Sequence, residues 1–412
     1  MLSAPSRSAD ALPRRIALIN PTKFLGNLLL AGGLIQHLCW VCQQQGVDLL
    51  VVLDESYRDL LAGALPGAQV VYYPRRVLNR GVTLTGARHW LACVRQVRAF
   101  AADLAFTIEE DSVCHRLTHL SGARRKVSCT VHRYHLGFDQ VLDIPRSGRA
   151  SGEESIWYSF RDVFAALELL DAPDNAEPDN DEPDNEEPDA VTSDAKSDAK
   201  NDAESYVKSY IKSYVKLSPQ APDPDFVERL TALGLNLAAP IAVLHAGASK
   251  HYKKWPEQQF VALGRSLLQQ GYQLVLIGAG DIDANANQRI TRDLAGDSQG
   301  CVDLCNKVSL AELASLLTRV DIMVGNDSGP SHLASALGVR GAVIFGPTDV
   351  AIWAPLGVQT TALQHKQVCA ADCSRHHCLK QYACLHSITP QQVLAALGLD
   401  GDPDAAVMAA TV

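Results

Sequence analysis

Three groups of residues in this 412-residue chain have the types and spacing to do chemistry. The first is Asp327-Ser328-Gly329-Pro330-Ser331-His332, set between an apolar run over 321–324 and a helical run that Gly338 ends. Backbone N–H groups at Ser328, Gly329 and the helix start favour an anion there, above all a phosphate. The second is Gly247-Ala248-Ser249, a small-residue turn that lets a ligand approach the backbone. Lys253-Lys254-Trp255-Pro256 follows and opens a helix, from which Lys254 can reach back over the turn as a point charge. The third is Cys369, Cys373, Cys378 and Cys384, with His376, His377 and His386 among them. Zinc ligands usually come as C-x2-C or C-x4-C pairs in two separated knuckles; this spacing departs from that pattern, and no metal is assigned.

The elements that must position these groups alternate along the chain. Arg15–Ile19 reads as a buried strand, 28–45 as a helix and 47–53 as a second strand. A helix is expected over 55–64, a strand over 69–73, a helix over 90–102 and a strand over 104–108. A further short strand is expected within 122–131. A second alternation runs from the strand at 241–245 through helices at 256–270, 285–295 and 310–318 to the strand at 341–345. Such alternation predicts parallel, doubly wound α/β sheets, in which ligands gather beyond the carboxyl ends of the strands. Both polar clusters of the second half fall on that edge. Cys39 and Cys42 lie in an apolar helical pattern and read as core.

Between the two alternations the sequence changes character. Ala-Glu-Pro-Asp-Asn, Asp-Glu-Pro-Asp-Asn and Glu-Glu-Pro-Asp-Ala are near-copies, followed by two copies of Ser-Asp-Ala-Lys. Ser205-Tyr206-Val207-Lys208 is then echoed at 209–212 and 213–216. Short tandem copies of this kind bury no core, so 171–216 is expected to be a linker whose acidic part is disordered, while the Ser-Tyr-Val-Lys copies are compatible with a short strand or helix. The expected organisation is a domain over 1–170, this linker, a domain over 217–400 and a flexible tail over 401–412. Residues 171–204 hold fourteen Asp or Glu and two Lys, a local charge of −12 within a total of −9, which leaves +3 for the rest. A mildly basic body suits anionic small molecules or an anionic surface and is too weak a signal for nucleic acid. No export signal or spanning helix is expected, which points to the cytoplasm.

Gly247-Ala248-Ser249, Lys254-Trp255-Pro256, Asp327-Ser328-Gly329-x-x-His332 and Phe345-Gly346-Pro347-Thr348-Asp349 together resemble the family 9 glycosyltransferases, the heptosyltransferases of lipopolysaccharide core assembly. The cysteine cluster with Ile388-Thr389-Pro390, and the start from Ile16 to Gly26, are similar to that family's two ends. The resemblance implies a GT-B fold, two Rossmann-like domains facing across a cleft, with acceptor held by the first and nucleotide-sugar by the second. It implies metal-independent, inverting transfer from ADP-L-glycero-β-D-manno-heptose to a lipid-linked saccharide at the inner membrane face, with no cofactor. Asp327 would hold Lys254 or a ribose hydroxyl, and His332 would hydrogen-bond the diphosphate. Asp281 or Asp283 would accept from sugar or ribose hydroxyls. In one place the chain departs from the family: where Gly-Asp is usual, with the aspartate as general base, it has Gly26-Asn27. An amide orients a hydroxyl but takes no proton. Glu109, Glu110 and Asp111 are the carboxylates expected to substitute; the alternative is a sugar-nucleotide-binding protein without efficient transfer.

Overall fold

The computed structural model describes residues 13–79, 83–109, 111–129, 137–142, 155–169, 214–217, 219, 222–294, 300–370, 373 and 377–400. Residues 171–213 of the linker expected over 171–216, and the tail over 401–412, lie outside these residues.

Two all-parallel six-stranded sheets carry the fold. The first contains β1 (Arg15–Ile19), β2 (Asp48–Asp54), β3 (Gln69–Tyr73), β4 (Leu104–Phe106), β5 (Arg125–Cys129) and β6 (Gln140–Leu142), in the order β3-β2-β1-β4-β5-β6. The second contains β7 (Ile241–His245), β8 (Gln273–Leu276), β9 (Cys301–Asp303), β10 (Ile322–Asn326), β11 (Arg340–Phe345) and β12 (Thr360–Gln364), in the order β12-β11-β10-β7-β8-β9. Counted within each sheet, both orders are 3-2-1-4-5-6. The strands are continuous apolar runs because helices cover both faces, and Ile16, Leu18, Val243 and Val324 are fully enclosed. Register is uniform, with Ile16 opposite Leu49 and Leu104, and Val324 opposite Leu244 and Ala342.

This topology decides where a ligand can sit. In an open parallel sheet the crevice forms where the strand order reverses, beyond the carboxyl ends of two adjacent strands. In the first sheet those strands are β1 and β4, which lead to Asn27 and Glu109. In the second they are β7 and β10, which lead to Gly247 and Asp327. Asn27, Glu109, Asp111, Gly247, Ser249, Lys254, Asp327, Ser328, Gly329 and His332 all follow these four strands, whereas Asp281 and Asp283 follow β8.

Helix α1 (Leu25–Gln44) lies between the two halves. It is long and apolar enough to cross a membrane, yet its residues from Leu28 to Cys42 are almost all buried, against the first sheet, α4 (Ile156–Ala166) and α9 (Gly329–Ala336). A helix apolar on every side is what a shared core requires. The remaining helices used below are α2 (Leu84–Ala99), α3 (Ser112–Leu120), α5 (Pro224–Ala232), α6 (Glu257–Gln269), α7 (Asp281–Asp293), α8 (Leu310–Leu317) and α10 (Pro390–Ala396).

Several elements differ from expectation. No α-helix fills 55–64: Asp54 caps a single 3-10 turn over Glu55–Tyr57, and turns then suffice to bury Leu60, Leu61 and Ala64. Helix α2 starts six residues before the expected Trp90, because the Thr83 side chain accepts from the Gly86 N–H and nucleates an earlier turn. Helix α7 starts at Asp281 rather than 285, after Gly280 turns the chain with φ of 82°. The end of the supposed linker is also not loose. Tyr214 and Val215, from the third Ser-Tyr-Val-Lys copy, are buried at 7% and 1% exposure.

Candidate functional site

On the first sheet's edge, Asn27 stands in the first turn of α1 and Glu109 just past β4. The Asn27 Nδ2 donates to both carboxylate oxygens of Glu109, at 3.0 and 3.3 Å. The Thr107 hydroxyl accepts the Glu109 N–H at 3.2 Å and fixes the loop that presents it. Asp111 is not a partner in this pair. Its Oδ1 accepts the Val113 N–H at 2.8 Å and caps α3, which is a structural task. Glu110 lies outside the described residues.

The second sheet's edge is organised by a residue that motif reading passes over. Asn326, fully buried at the end of β10, accepts the Trp255 N–H at 2.9 Å and donates to the carbonyls of Ala246 and Gly247 at 2.9 and 3.2 Å. One amide thus ties together the small-residue turn, the Lys-Trp-Pro segment and the strand that leads to Asp327. The Trp255 indole donates onward to the Ile388 carbonyl at 2.9 Å, which fastens the C-terminal segment before α10 to the same frame. The small-residue turn, the Lys-Trp-Pro segment, the end of β10 and the segment at Ile388 are therefore parts of one hydrogen-bonded unit.

The charged residues over this frame differ in part from expectation. Asp327 is paired with Lys253, not Lys254: the Lys253 Nζ lies 2.7 Å from Oδ2. That contact is close but poorly aligned, so the buried Oδ2 makes no hydrogen bond among the described residues. Lys254 instead lies near Asp283. Burial alone would raise the Asp283 carboxyl, but His245, the Ala279 N–H and Lys254 outweigh it and hold it below the usual carboxylate range. Asp283 replaces Asp281 in the cluster, for Asp281 is exposed at the start of α7 while Asp283 turns inward. Its carboxylate lies over Gly247, where any side chain would collide with it. Ser249 is exposed just beyond this turn.

His245 joins the two halves of the edge, with Nδ1 2.9 Å from the Ser328 Oγ and Nε2 3.7 Å from Asp283. The Ser328 hydroxyl donates to the Asn326 carbonyl at 3.1 Å, so His245 must donate to Ser328. Pro330 has no N–H, which leaves the amides of Ser328, Gly329 and Ser331 to face an anion at the start of α9.

The two edges meet at the crossing of α1 and α9. Gly329 approaches Leu25, and Gly26 approaches His332 so closely that a Cβ would lie 2.9 Å from the imidazole Cδ2. His332 is buried, which depresses its pKa to about 4, and it is neutral at physiological pH. Its Nδ1 lies 3.1 Å from the Tyr214 hydroxyl. That hydroxyl accepts the Leu356 N–H at 3.0 Å and is held protonated by burial, with its pKa raised to about 12. Tyr214 therefore donates to Nδ1, and the neutral ring carries its proton on Nε2. Lys216 adds a backbone clamp: its N–H donates to the Gln36 Oε1 at 2.7 Å, and its carbonyl accepts from Nε2 at 3.0 Å. Nothing in the residue types of a tandem repeat signals these contacts.

Among the described residues no set of three or more His, Cys, Asp or Glu side chains is arranged to hold a metal ion. Burial pushes the Cys384 thiol up to about 12, and its interaction with Cys369 adds to the rise. Burial likewise pushes Cys39 and Cys42 up to about 12, as befits core thiols.

Comparison with known proteins agrees with this architecture. Residues 190–383 match the family model of glycosyltransferase family 9 (heptosyltransferase). Lipooligosaccharide heptosyltransferase 2 of Campylobacter jejuni is 29% identical over 155 residues, 37% of this chain and 48% of the relative. The matched stretch thus spans about half the length of that protein. Among solved structures, the ADP-heptose lps heptosyltransferase II of E. coli superposes with a TM-score of 0.64 at 16% identity, over 93% of this chain and 97% of the other. E. coli heptosyltransferase WaaC with ADP gives 0.55 at 16% identity, over 84% and 92%. At such identities the likeness shows the fold alone, a GT-B pair of Rossmann-like domains. The family match covers the frame built on Asn326, so residues 190–383 are similar to glycosyltransferase family 9 (heptosyltransferase).

Proposed function

We propose that the protein transfers heptose from ADP-L-glycero-β-D-manno-heptose to a lipopolysaccharide core or related saccharide, with inversion and without a metal ion. One observation carries this reading: the carboxylate of Glu109 and the anion-favouring start of α9 lie on facing edges that meet where Gly26 touches His332. Glu109 takes the proton from the acceptor hydroxyl. The acceptor oxygen bonds to the anomeric carbon from the face opposite the nucleotide, and the bond to the β-phosphate oxygen breaks with its electron pair leaving on ADP. Asn27 takes no proton; its amide holds both Glu109 oxygens, which fixes the base in place. Lys253, Lys254, the amides of Ser328 and Gly329 and the Nε2–H of His332 stabilise the departing diphosphate. Asp327, with a carboxylate oxygen short of hydrogen bonds, and Asp283 accept from donor hydroxyls.

A binding protein without transfer is the second reading, motivated by Asn27. The Asn27–Glu109 contact favours the enzyme, because it places a carboxylate where the amide itself cannot act. The reaction of purified protein with ADP-heptose and heptose-deficient core, in excess EDTA, is expected to release ADP and give the inverted linkage by NMR. ADP binding without release would support the second reading.

A further inference from the structure

The starts of the helices differ in a way that the transfer reading does not use. At the starts of α2, α3, α4, α5, α8 and α10 a Ser, Thr or Asp side chain accepts a first-turn N–H. Helices α1, α6, α7 and α9, which follow β1, β7, β8 and β10, have no such cap. Before α6, α7 and α9 the capping position holds Pro256, Gly280 and Ser328; before α1 it holds Phe24, the one large side chain of the set. Phe24 forgoes the stabilisation a polar cap would give, and its side chain is 50% exposed. A local rule broken without a local gain marks a functional position.

The surroundings of Phe24 fix its place and steady its ring. Its N–H donates to the Thr22 hydroxyl at 3.2 Å, and its carbonyl accepts the Leu28 N–H at 3.1 Å. The Lys23 Nζ lies 5.1 Å from the ring centroid, within cation–π range. Phe24 and Asn27 occupy the N-cap and N3 positions of α1, the two whose side chains stand together in a capping box. Here the Asn27 amide turns to Glu109 instead. Leu25 and Gly26, between them in sequence, meet Gly329 and His332 of the second domain. The exposed ring therefore stands one turn from Asn27, on the side of the helix start that carries Glu109. A flat apolar face at that place matches the C–H face of a sugar whose hydroxyl reaches the carboxylate.

We propose that Phe24 is an acceptor-binding residue, its ring packing against the C–H face of the saccharide that presents a hydroxyl to Glu109. This rests on the reading of the first domain as the acceptor side, and a binding measurement separates it from transfer itself. Deacylated, heptose-deficient core oligosaccharide is titrated by calorimetry into the full chain saturated with ADP. Phe24→Ala should weaken oligosaccharide binding by about five- to tenfold, the scale of one aromatic contact, and leave ADP affinity unchanged. Phe24→Trp should bind as the wild type does. Phe24→Leu, apolar but without a flat face, should be as weak as Phe24→Ala. Circular dichroism checks that each variant is folded. If the wild type binds oligosaccharide without releasing ADP from ADP-heptose, transfer fails, while a weakened Phe24→Ala still supports the proposal. Oligosaccharide binding that ignores Phe24→Ala, or that Phe24→Leu fully preserves, would overturn it. So would a wild type that binds no oligosaccharide, or a Phe24→Ala protein that loses ADP, which would put the ring on the donor.

Discussion

At the residue scale the proposed transfer turns on the contact between Asn27 and Glu109. The sequence makes both visible, but as rivals, since one occupies the base position without being a base and the other follows a strand eighty residues later. Only the adjacency of β1 and β4 shows that they form one unit. Lys253 and Lys254 illustrate the limit of motif reading: neighbouring residues of one type leave opposite directions open, and the path of the 3-10 turn over His251–Lys253 decides which meets Asp327. His332 is legible as a site residue, though not its state. Its folded pKa of about 4 lies below the ordinary 6.5, so between these values the unfolded chain takes a proton that the folded chain refuses. Stability therefore falls as pH drops from about 6.5 toward 4, by up to about 3 kcal/mol from this group. Urea unfolding across that range should show a shallower acid slope for His332→Gln. An unchanged slope would mean that the ring is not held neutral by burial.

At the scale of elements, strands and their order are largely legible because parallel sheets buried on both faces write themselves as short apolar runs. Helix starts are less so. Caps such as Thr83 and the Gly280 turn act through backbone geometry, which periodicity does not record. The strap of Tyr214, Val215 and Lys216 is the largest omission: tandem repetition suggests a segment without structure, yet the last copy packs on α1 and reaches His332. Tyr214→Phe keeps the ring and removes the hydroxyl, leaving the His332 Nδ1 and the Leu356 N–H without their partner in a buried setting. A loss of about 1–3 kcal/mol for each of the two groups is expected, together with weaker ADP binding measured by calorimetry. Wild-type stability and affinity in this variant would reduce the strap to a passive contact.

At the scale of the whole molecule, two sheets of identical strand order place their crevices face to face, and α1 is the element that both halves share. Residues 171–204 carry the chain's negative charge, and the rest of the sequence sums to +3. Transfer as proposed rests on a base supplied by Glu109, opposite a donor held by the second domain. The most direct measurement is the rate of ADP release from ADP-heptose and core acceptor by Glu109→Gln, with ADP affinity measured on the same preparation. The expected rate is lower by about 10²–10⁴-fold, the usual contribution of a general base, with ADP affinity unchanged. A Glu109→Gln protein that transfers at the wild-type rate would contradict the role given to Glu109.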